Sequence, residues 1–129
     1  MFSSLDISVL VHATEDDNKI IEYILEYFEK SSNSKQIEIV KTEGHWKNPI
    51  TRINITLSKH MDYYFEILMN ELKNIHGEIE LTQYLKNNVD EKGSIYLRLD
   101  KQKLCLGKIS LSANDSVRLI FRSKGKFEK

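Results

Sequence analysis

The chain has 129 residues, and 19 Lys+Arg balance 19 Asp+Glu, with one Cys and one Pro. This length fits one domain, and 40% hydrophobic with 29% charged residues is typical of a folded chain rather than a disordered one. A single Cys excludes a disulfide framework and a cysteine-rich zinc site, and without a membrane-length apolar run or a signal-peptide core we expect a cytoplasmic protein with no membrane partner.

The first third of the chain predicts a strand, a helix and a second strand. Apolar residues alternate with polar ones over residues 5–11, the period of a half-buried strand. Apolar residues then recur at helical spacing, which predicts an amphipathic helix from residue 15 to about 30 with Thr14 as its N-cap. Ile37, Ile39 and Val40 predict a second strand over residues 36–43.

The middle of the chain predicts a loop, a strand and two helices. The only Pro lies in the stretch 43–49, which we interpret as a loop before a strand at residues 50–57. Ser58 is the predicted N-cap of the next helix, and Gly77 is its predicted C-terminal cap. A shorter helix follows over residues 78–88.

The last third predicts three strands. Residues 95–99 form the first, residues 100–103 a turn, and residues 104–111 the returning strand. The apolar residues of that returning strand shift from even-numbered to odd-numbered positions at Gly107, which suggests a β-bulge there. Residues 117–121 predict the final strand.

This β-α-β-β-α-α-β-β-β order predicts an α+β fold. Strand pairs joined by hairpins imply a single-layer, mostly antiparallel sheet with two to three helices packed on one face. Residues 1–122 are expected to form one domain, and residues 123–129 a polar C-terminal tail.

The zero net charge hides a strong asymmetry along the chain. Residues 1–43 hold 4 Lys+Arg against 9 Asp+Glu, residues 44–93 hold 6 against 7, and residues 94–129 hold 9 against 3. The last segment therefore carries +6. Such asymmetry is typical of a surface that faces a polyanion.

The basic residues of this last segment are predicted to share one face of the sheet. The face opposite the apolar positions would carry Tyr96, Arg98, Lys108, Arg118 and Arg122, with Lys101 and Lys103 at the hairpin and Lys124 in the tail as its rim. Spaced cations with an aromatic suit RNA, through phosphate contacts and stacking. The alternative is a charged face that serves only solubility and edge protection.

The Pro-containing loop offers a second candidate for RNA contact. Trp46, Lys47 and Asn48 bring together an aromatic ring, a cation and an amide, which could stack on a base and hold a phosphate. Alternatively, Trp46 closes the end of the core and Asn48 only shapes the turn.

Catalytic and metal-binding motifs are not evident in the sequence. It has no glycine-rich phosphate loop, nucleophile elbow or closely spaced histidine pair, so we predict no catalytic residue, no metal ligand and no cofactor. A nuclease that uses His12, Glu43 and His45 is the least favoured alternative.

Three stretches together resemble an archaeal family of predicted RNA-binding proteins. They are residues 11–16 with Lys19, residues 43–45 with 48–50, and residues 98–102. The resemblance covers roughly residues 5–122 and implies a fold like that of the double-stranded-RNA-binding domain, with a sheet built from residues 50–57 and the three C-terminal strands, and an accessory role at the exosome. The helix at 78–88 lacks that domain's lysine cluster, so we place the RNA-binding surface on Lys47, Arg52 and the basic C-terminal strands.

We therefore predict a non-catalytic RNA-binding protein, an accessory of archaeal RNA processing or degradation. The alternative is a protein-interaction or scaffold module, or a homodimer, without direct RNA contact.

Overall fold

The computed structural model of the chain describes residues 2–12, 15–28, 35–43, 49–112 and 114–124. These residues form five strands and four helices. The strands are β1 (Phe2–His12), β2 (Lys35–Glu43), β3 (Pro49–Leu57), β4 (Ile95–Asp100) and β5 (Ser116–Ser123). The helices are α1 (Asp17–Tyr27), α2 (Met61–His76), α3 (Glu78–Asn87) and α4 (Lys101–Cys105).

The five strands form one open sheet in the order β2-β3-β1-β5-β4, and every neighbouring pair is antiparallel. The predicted α+β class is confirmed, with four helices where two to three were expected. The first two strands also join the sheet, so it is not limited to residues 50–57 and the C-terminal strands.

The hydrophobic core lies between the helices and one face of the sheet. The odd-numbered positions within residues 5–11 of β1, 53–57 of β3, 97–99 of β4 and 117–121 of β5 are buried there, because successive side chains of a strand point to opposite faces. Phe2 is buried as well, beyond the register shift of β1 between Phe2 and Ser4. The rings of Phe2, Phe65 and Phe121 contact one another in this core, with centroids 4.8 to 5.5 Å apart. All four helices contribute buried residues to this core, so none of the helices in the described ranges lies on the other face of the sheet.

Two of the helix starts differ from the predictions. The N-cap of α1 is Asp16, whose carboxylate accepts hydrogen bonds from the N–H groups of Asn18 and Lys19, and Thr14 lies outside the described residues. The predicted cap of α2 at Ser58 is wrong, because β3 extends to Leu57 and the N-cap position falls at His60. No helix in the described ranges combines the length and apolar character needed to cross a membrane.

The predicted returning strand at residues 104–111 is also wrong. Residues 101–105 form α4, because the Asp100 carboxylate caps the helix by accepting a hydrogen bond of 3.0 Å from the N–H of Lys103. Gly107, with φ of 77°, ends the turn that follows α4, so it marks no bulge. Only Leu111 bridges to β4, at Leu99. The observed order is therefore β-α-β-β-α-α-β-α-β.

Candidate nucleic-acid interface

Four arginines lie on the sheet face that the helices leave open. Arg98 is the register partner of Arg118, and Arg118 is the partner of Ser8 on the central strand. Arg52 lies opposite Leu10, and Arg122 lies opposite Ser4. Tyr96 shares this face, because its register partner is Ile120. The predicted common face of Tyr96, Arg98, Arg118 and Arg122 is therefore present, and Arg52 extends it onto β3.

Three of these arginines line one hollow of about 500 Å³, which we call the arginine hollow. Among the described residues, its lining consists of Ser8, Val9, Leu10, His12, Arg52, Arg98, Asp115, Ser116 and Arg118. Within the part of the chain that the structure describes, no carboxylate lies within 4.0 Å of the guanidinium nitrogens of Arg52, Arg98 or Arg118. Exposed guanidinium groups without a carboxylate partner keep their donors available for an anion.

Among the described lining residues Asp115 is the only acidic one, and it shares the Lys101 ammonium with Glu15. Its Oδ1 atom lies 2.9 Å from Lys101 Nζ and 3.9 Å from His12 Nε2. Three arginines outnumber this one carboxylate in the lining, so the hollow keeps an excess of positive charge.

Arg122 differs from the other three arginines because it has a carboxylate partner. Its Nε atom lies 2.6 Å from Asp6 Oδ2, and this hydrogen bond raises the pKa of the guanidinium above its ordinary value. Asp6 also accepts a hydrogen bond from the Thr56 hydroxyl. Arg122 is thus held on the open face but is partly neutralised.

Tyr96 supplies an exposed aromatic ring beside the arginines. Its hydroxyl donates a hydrogen bond of 3.1 Å to Asp90 Oδ2, which raises the pKa of the tyrosine. Asp90 in turn accepts from the N–H groups of Lys92 and Ser94, so its position is fixed by the turn before β4. A ring held in this way beside Arg98 is suited to stack on a base.

The prediction that Lys101 rims an exposed hairpin is wrong. The side chain is 1% exposed, and its Nζ donates to the Leu10 carbonyl and to Glu15 Oε1, each at 2.9 Å. Burial alone would lower the pKa of Lys101, but the hydrogen bonds and charges of Glu15 and Asp115 outweigh it and raise the pKa. In this structure Lys101 joins α4 to the end of β1 and does not contact solvent.

The remaining predicted residues are less closely connected to the hollow. Lys103 is exposed on α4, and Lys108 is exposed in the following segment rather than on a strand. The N–H of Lys108 donates to the Lys103 carbonyl at 2.8 Å, which keeps these two positions together. Lys124 is exposed just beyond β5. Trp46, Lys47 and Asn48 lie outside the described residues.

Sequence reasoning missed the contribution of β1 to the arginine hollow. Ser8 and His12 line it, and Ser116 and Asp115 line it from the start of β5. The signal was available, because Ser8 and His12 are even-numbered residues of a strand whose odd-numbered residues are apolar. The pairing of β1 with β5, which brings them to the arginines, is a long-range contact that no local pattern predicts.

The three stretches that carry the family resemblance meet at this end of the sheet. Lys101 of the third stretch contacts Glu15 of the first at 2.9 Å. His12 of the first stretch is the register partner of Ile50 in the second. The motifs are therefore neighbours in space, and the arginine hollow opens beside them.

The structure gives no support to the nuclease alternative. Among the described residues, no group of three or more His, Cys, Asp or Glu side chains could hold a metal ion. His12 is the register partner of Ile50 and its Nε2 atom lies 3.9 Å from Asp115 Oδ1, whereas Glu43 pairs with Pro49 on the other side of β3. His45 lies outside the described residues.

Comparisons with known proteins agree on one family. A family model described as RNA binding matches residues 4–123. The chain is 30% identical over 118 residues to an RNA-binding protein of Pyrococcus abyssi, a match that covers 88% of this chain and 76% of the relative. It is also 30% identical over 132 residues to an uncharacterized protein of Methanocaldococcus jannaschii, a match that covers 96% of this chain and 86% of the relative. The solved structure of a DUF54 protein from Methanothermobacter thermautotrophicus is similar, with a TM-score of 0.76 and 25% identity over 97% of this chain and 87% of that protein.

Proposed function

The chain belongs to this RNA-binding family, and we propose that it binds RNA through the open face of its sheet. Arg52, Arg98 and Arg118 are the proposed phosphate contacts, and Tyr96 is the proposed stacking residue. The protein acts without catalysis, as a binding protein.

One observation carries this proposal. Three exposed arginines converge on the arginine hollow, and no carboxylate in the described ranges lies within 4.0 Å of them. An arginine fork matches the geometry of a phosphate group, and contacts of this kind supply most of the affinity for a nucleic acid. A purely solubilising face would not require unpaired arginines at adjacent strand positions, since like charges there destabilise a sheet.

We further propose that the preferred RNA is single-stranded. An exposed tyrosine beside arginines can stack on a splayed base, whereas bases inside a duplex are not accessible to it. The first turn of α3 carries Glu78 and Glu80, which would repel the phosphates of a duplex groove. Gripping of duplex RNA by that helix is therefore disfavoured.

The role in the cell is proposed from the family resemblance. We place the protein in the cytoplasm as an accessory of RNA processing or degradation, associated with the exosome. Crosslinking in a native extract, followed by identification of the bound RNA and the co-purifying proteins, tests this role. Recovery of RNA without exosome subunits would argue for a separate RNA-binding function.

Direct binding is tested by fluorescence anisotropy with a labelled single-stranded RNA and with the same strand annealed to its complement. The double variant Arg98→Glu/Arg118→Glu is compared with Lys59→Glu/Lys73→Glu, an equal charge change at exposed residues away from the open face. Circular dichroism verifies that both variants fold.

We expect the arginine variant to lose at least about tenfold in affinity for the single strand, and the lysine variant to lose much less. Three phosphate contacts give a salt slope of about −2 in the unmodified protein, and the arginine variant retains a slope nearer about −0.7. Equal affinities for the two double variants would refute the proposed surface.

A further inference from the structure

The two edge strands of the sheet, β4 and β2, differ in how the backbone groups on their outer sides are hydrogen-bonded. The outer edge of β4 is covered by neighbouring backbone. The N–H of Tyr96 donates to the Asn88 carbonyl at 2.8 Å, and the N–H of Asp100 donates to the Ser110 carbonyl at the same distance. Further along, the Arg98 carbonyl accepts from the N–H of Ser112 at 2.9 Å. A second chain cannot add to an edge whose donors and acceptors are already used.

In the described part of the chain, the outer edge of β2 has no such cover. Across the described residues, β3 is the only strand that pairs with β2, and no backbone hydrogen bond from another segment reaches it. Its nine residues pair with β3 in an unbroken register. Ile37, Ile39 and Val40 are exposed on it, Ile39 to 45%. A long, regular and apolar edge of this kind is a template for another strand.

We infer that this edge pairs with β2 of a second copy of the chain. Two-fold symmetry would join the two strands antiparallel, with the axis perpendicular to the sheet and midway between the two copies of one β2 residue. Such an axis keeps the same face of the sheet on the same side in both copies. Side chains at paired positions therefore lie on one face, and the sequence of β2 indicates which register is favourable.

One register is self-complementary. With the axis at Ile39, all nine residues pair, and Lys35 lies opposite the partner's Glu43 at both ends of the contact. Ile39 lies opposite the partner's Ile39 in its centre. Ile37 lies opposite the partner's Lys41. In this register no pair of facing residues carries like charges. Opposite charges at facing positions stabilise strand pairing, as do facing β-branched side chains.

The neighbouring registers lack these features. An axis at Glu38 sets that residue against the partner's Glu38, and Lys35 against the partner's Lys41, which are both repulsive pairs. An axis at Val40 pairs residues 37–43 only and sets no opposite charges against each other. The sequence of β2 thus selects the axis at Ile39.

The proposed dimer has a ten-stranded sheet with both open faces on one side. The two arginine hollows then face the same direction, so one RNA strand could contact both, and the second contact would raise the overall affinity. The dimer itself does not depend on RNA binding, and its test uses the protein alone.

Sedimentation velocity over a dilution series measures the mass of the full chain. We expect a concentration-dependent species of twice 15.1 kDa. Lys35→Glu and Glu43→Lys should each raise the dimer dissociation constant by about tenfold, because each change places like charges at both ends of the contact. The double exchange Lys35→Glu/Glu43→Lys should restore dimerisation.

A second pair of variants separates the edge from other surfaces. Ile39→Lys sets two lysines against each other at the axis and should give a monomer, whereas Ile75→Lys changes an isoleucine that is 53% exposed on α2 and should leave the dimer intact. A wild-type monomer at every concentration, or a dimer that Ile39→Lys does not weaken, would refute the inference. A double exchange that stays monomeric would refute the register.

Discussion

Arg98 and Arg118 lie directly opposite each other on the neighbouring antiparallel strands β4 and β5. Both are exposed, and in the described parts of the chain neither has a carboxylate within 4.0 Å. Like charges at facing strand positions destabilise a sheet, so the fold would be more stable without one of them. Such a cost at a solvent-exposed position points to a role in binding an anion.

Arg118→Gln should therefore change stability and binding in opposite directions. We expect the free energy of unfolding to rise by about 0.2 to 1 kcal/mol, because the repulsion with Arg98 is removed, while RNA affinity falls. Urea unfolding and anisotropy measure the two quantities. Arg122→Gln is the control, since it loses the hydrogen bond to Asp6 and should gain no stability. A destabilised Arg118→Gln would contradict the interpretation of this pair.

Asp6→Asn should increase RNA affinity. The substitution removes the carboxylate that lies 2.6 Å from Arg122 Nε and leaves this guanidinium available to a phosphate. We expect an increase of about two- to fivefold, and a loss of less than about 1 kcal/mol of stability, because both side chains are substantially exposed. Asn retains an oxygen that accepts from the Thr56 hydroxyl. An unchanged or lower affinity would show that Arg122 does not contact RNA.

Phe121→Ala should destabilise the domain by about 3 to 5 kcal/mol. The ring is fully buried and packs against Phe2 and Phe65, with centroids 5.5 and 5.2 Å away. Its strand also carries Arg118 and Arg122, so the core holds the binding face in place. Thermal unfolding measures the loss, and Ile75→Ala at an exposed helix position should cost no more than about 0.5 kcal/mol. Equal effects at the two positions would contradict this assignment of the core.

The strands and the arginine face could be predicted because both follow from the alternation of apolar and polar residues along a strand. In β5, Val117 and Leu119 indicate the buried side, and that assignment alone places Arg118 and Arg122 on the other side. No comparable local signal separates Arg118 from Arg122. The difference arises from Asp6, which is 116 positions from Arg122 in the sequence and lies next to it only because β1 pairs with β5.

The segment after β4 could not be assigned correctly from alternation. Short apolar runs are compatible with either a strand or a helix, and Leu104 and Leu106 gave an apparent strand parity. In the fold Leu104 is buried while Leu106 is 72% exposed, as one short helical turn allows. The Asp100 cap was a local signal for that turn. The burial of Lys101 had no local signal in the sequence, because its partners Glu15 and Asp115 are distant in sequence.

The buried ammonium of Lys101 predicts a specific pH dependence of stability. Glu15 and Asp115 hold the pKa of Lys101 above its ordinary value of 10.5, despite the opposing effect of burial. A basic group whose pKa is raised on folding stabilises the protein fully at pH values below its unfolded pKa. That contribution is lost as the pH rises through the raised pKa, above 10.5. Deprotonation would leave two carboxylates without their common partner.

Lys101→Met tests this network, and Lys103→Met is its matched control on the same short helix. Methionine retains the apolar stem but removes the charge, so we expect Lys101→Met to lose about 3 kcal/mol at neutral pH, as when a buried ion pair is broken. Lys103 is exposed, and its substitution should change stability by less than about 0.5 kcal/mol. In urea unfolding between neutral pH and pH values above 10.5, the difference between wild type and Lys101→Met should shrink, because the wild type then loses the same charge. A difference that stays constant with pH would show that Lys101 stabilises the fold through packing rather than through its charge.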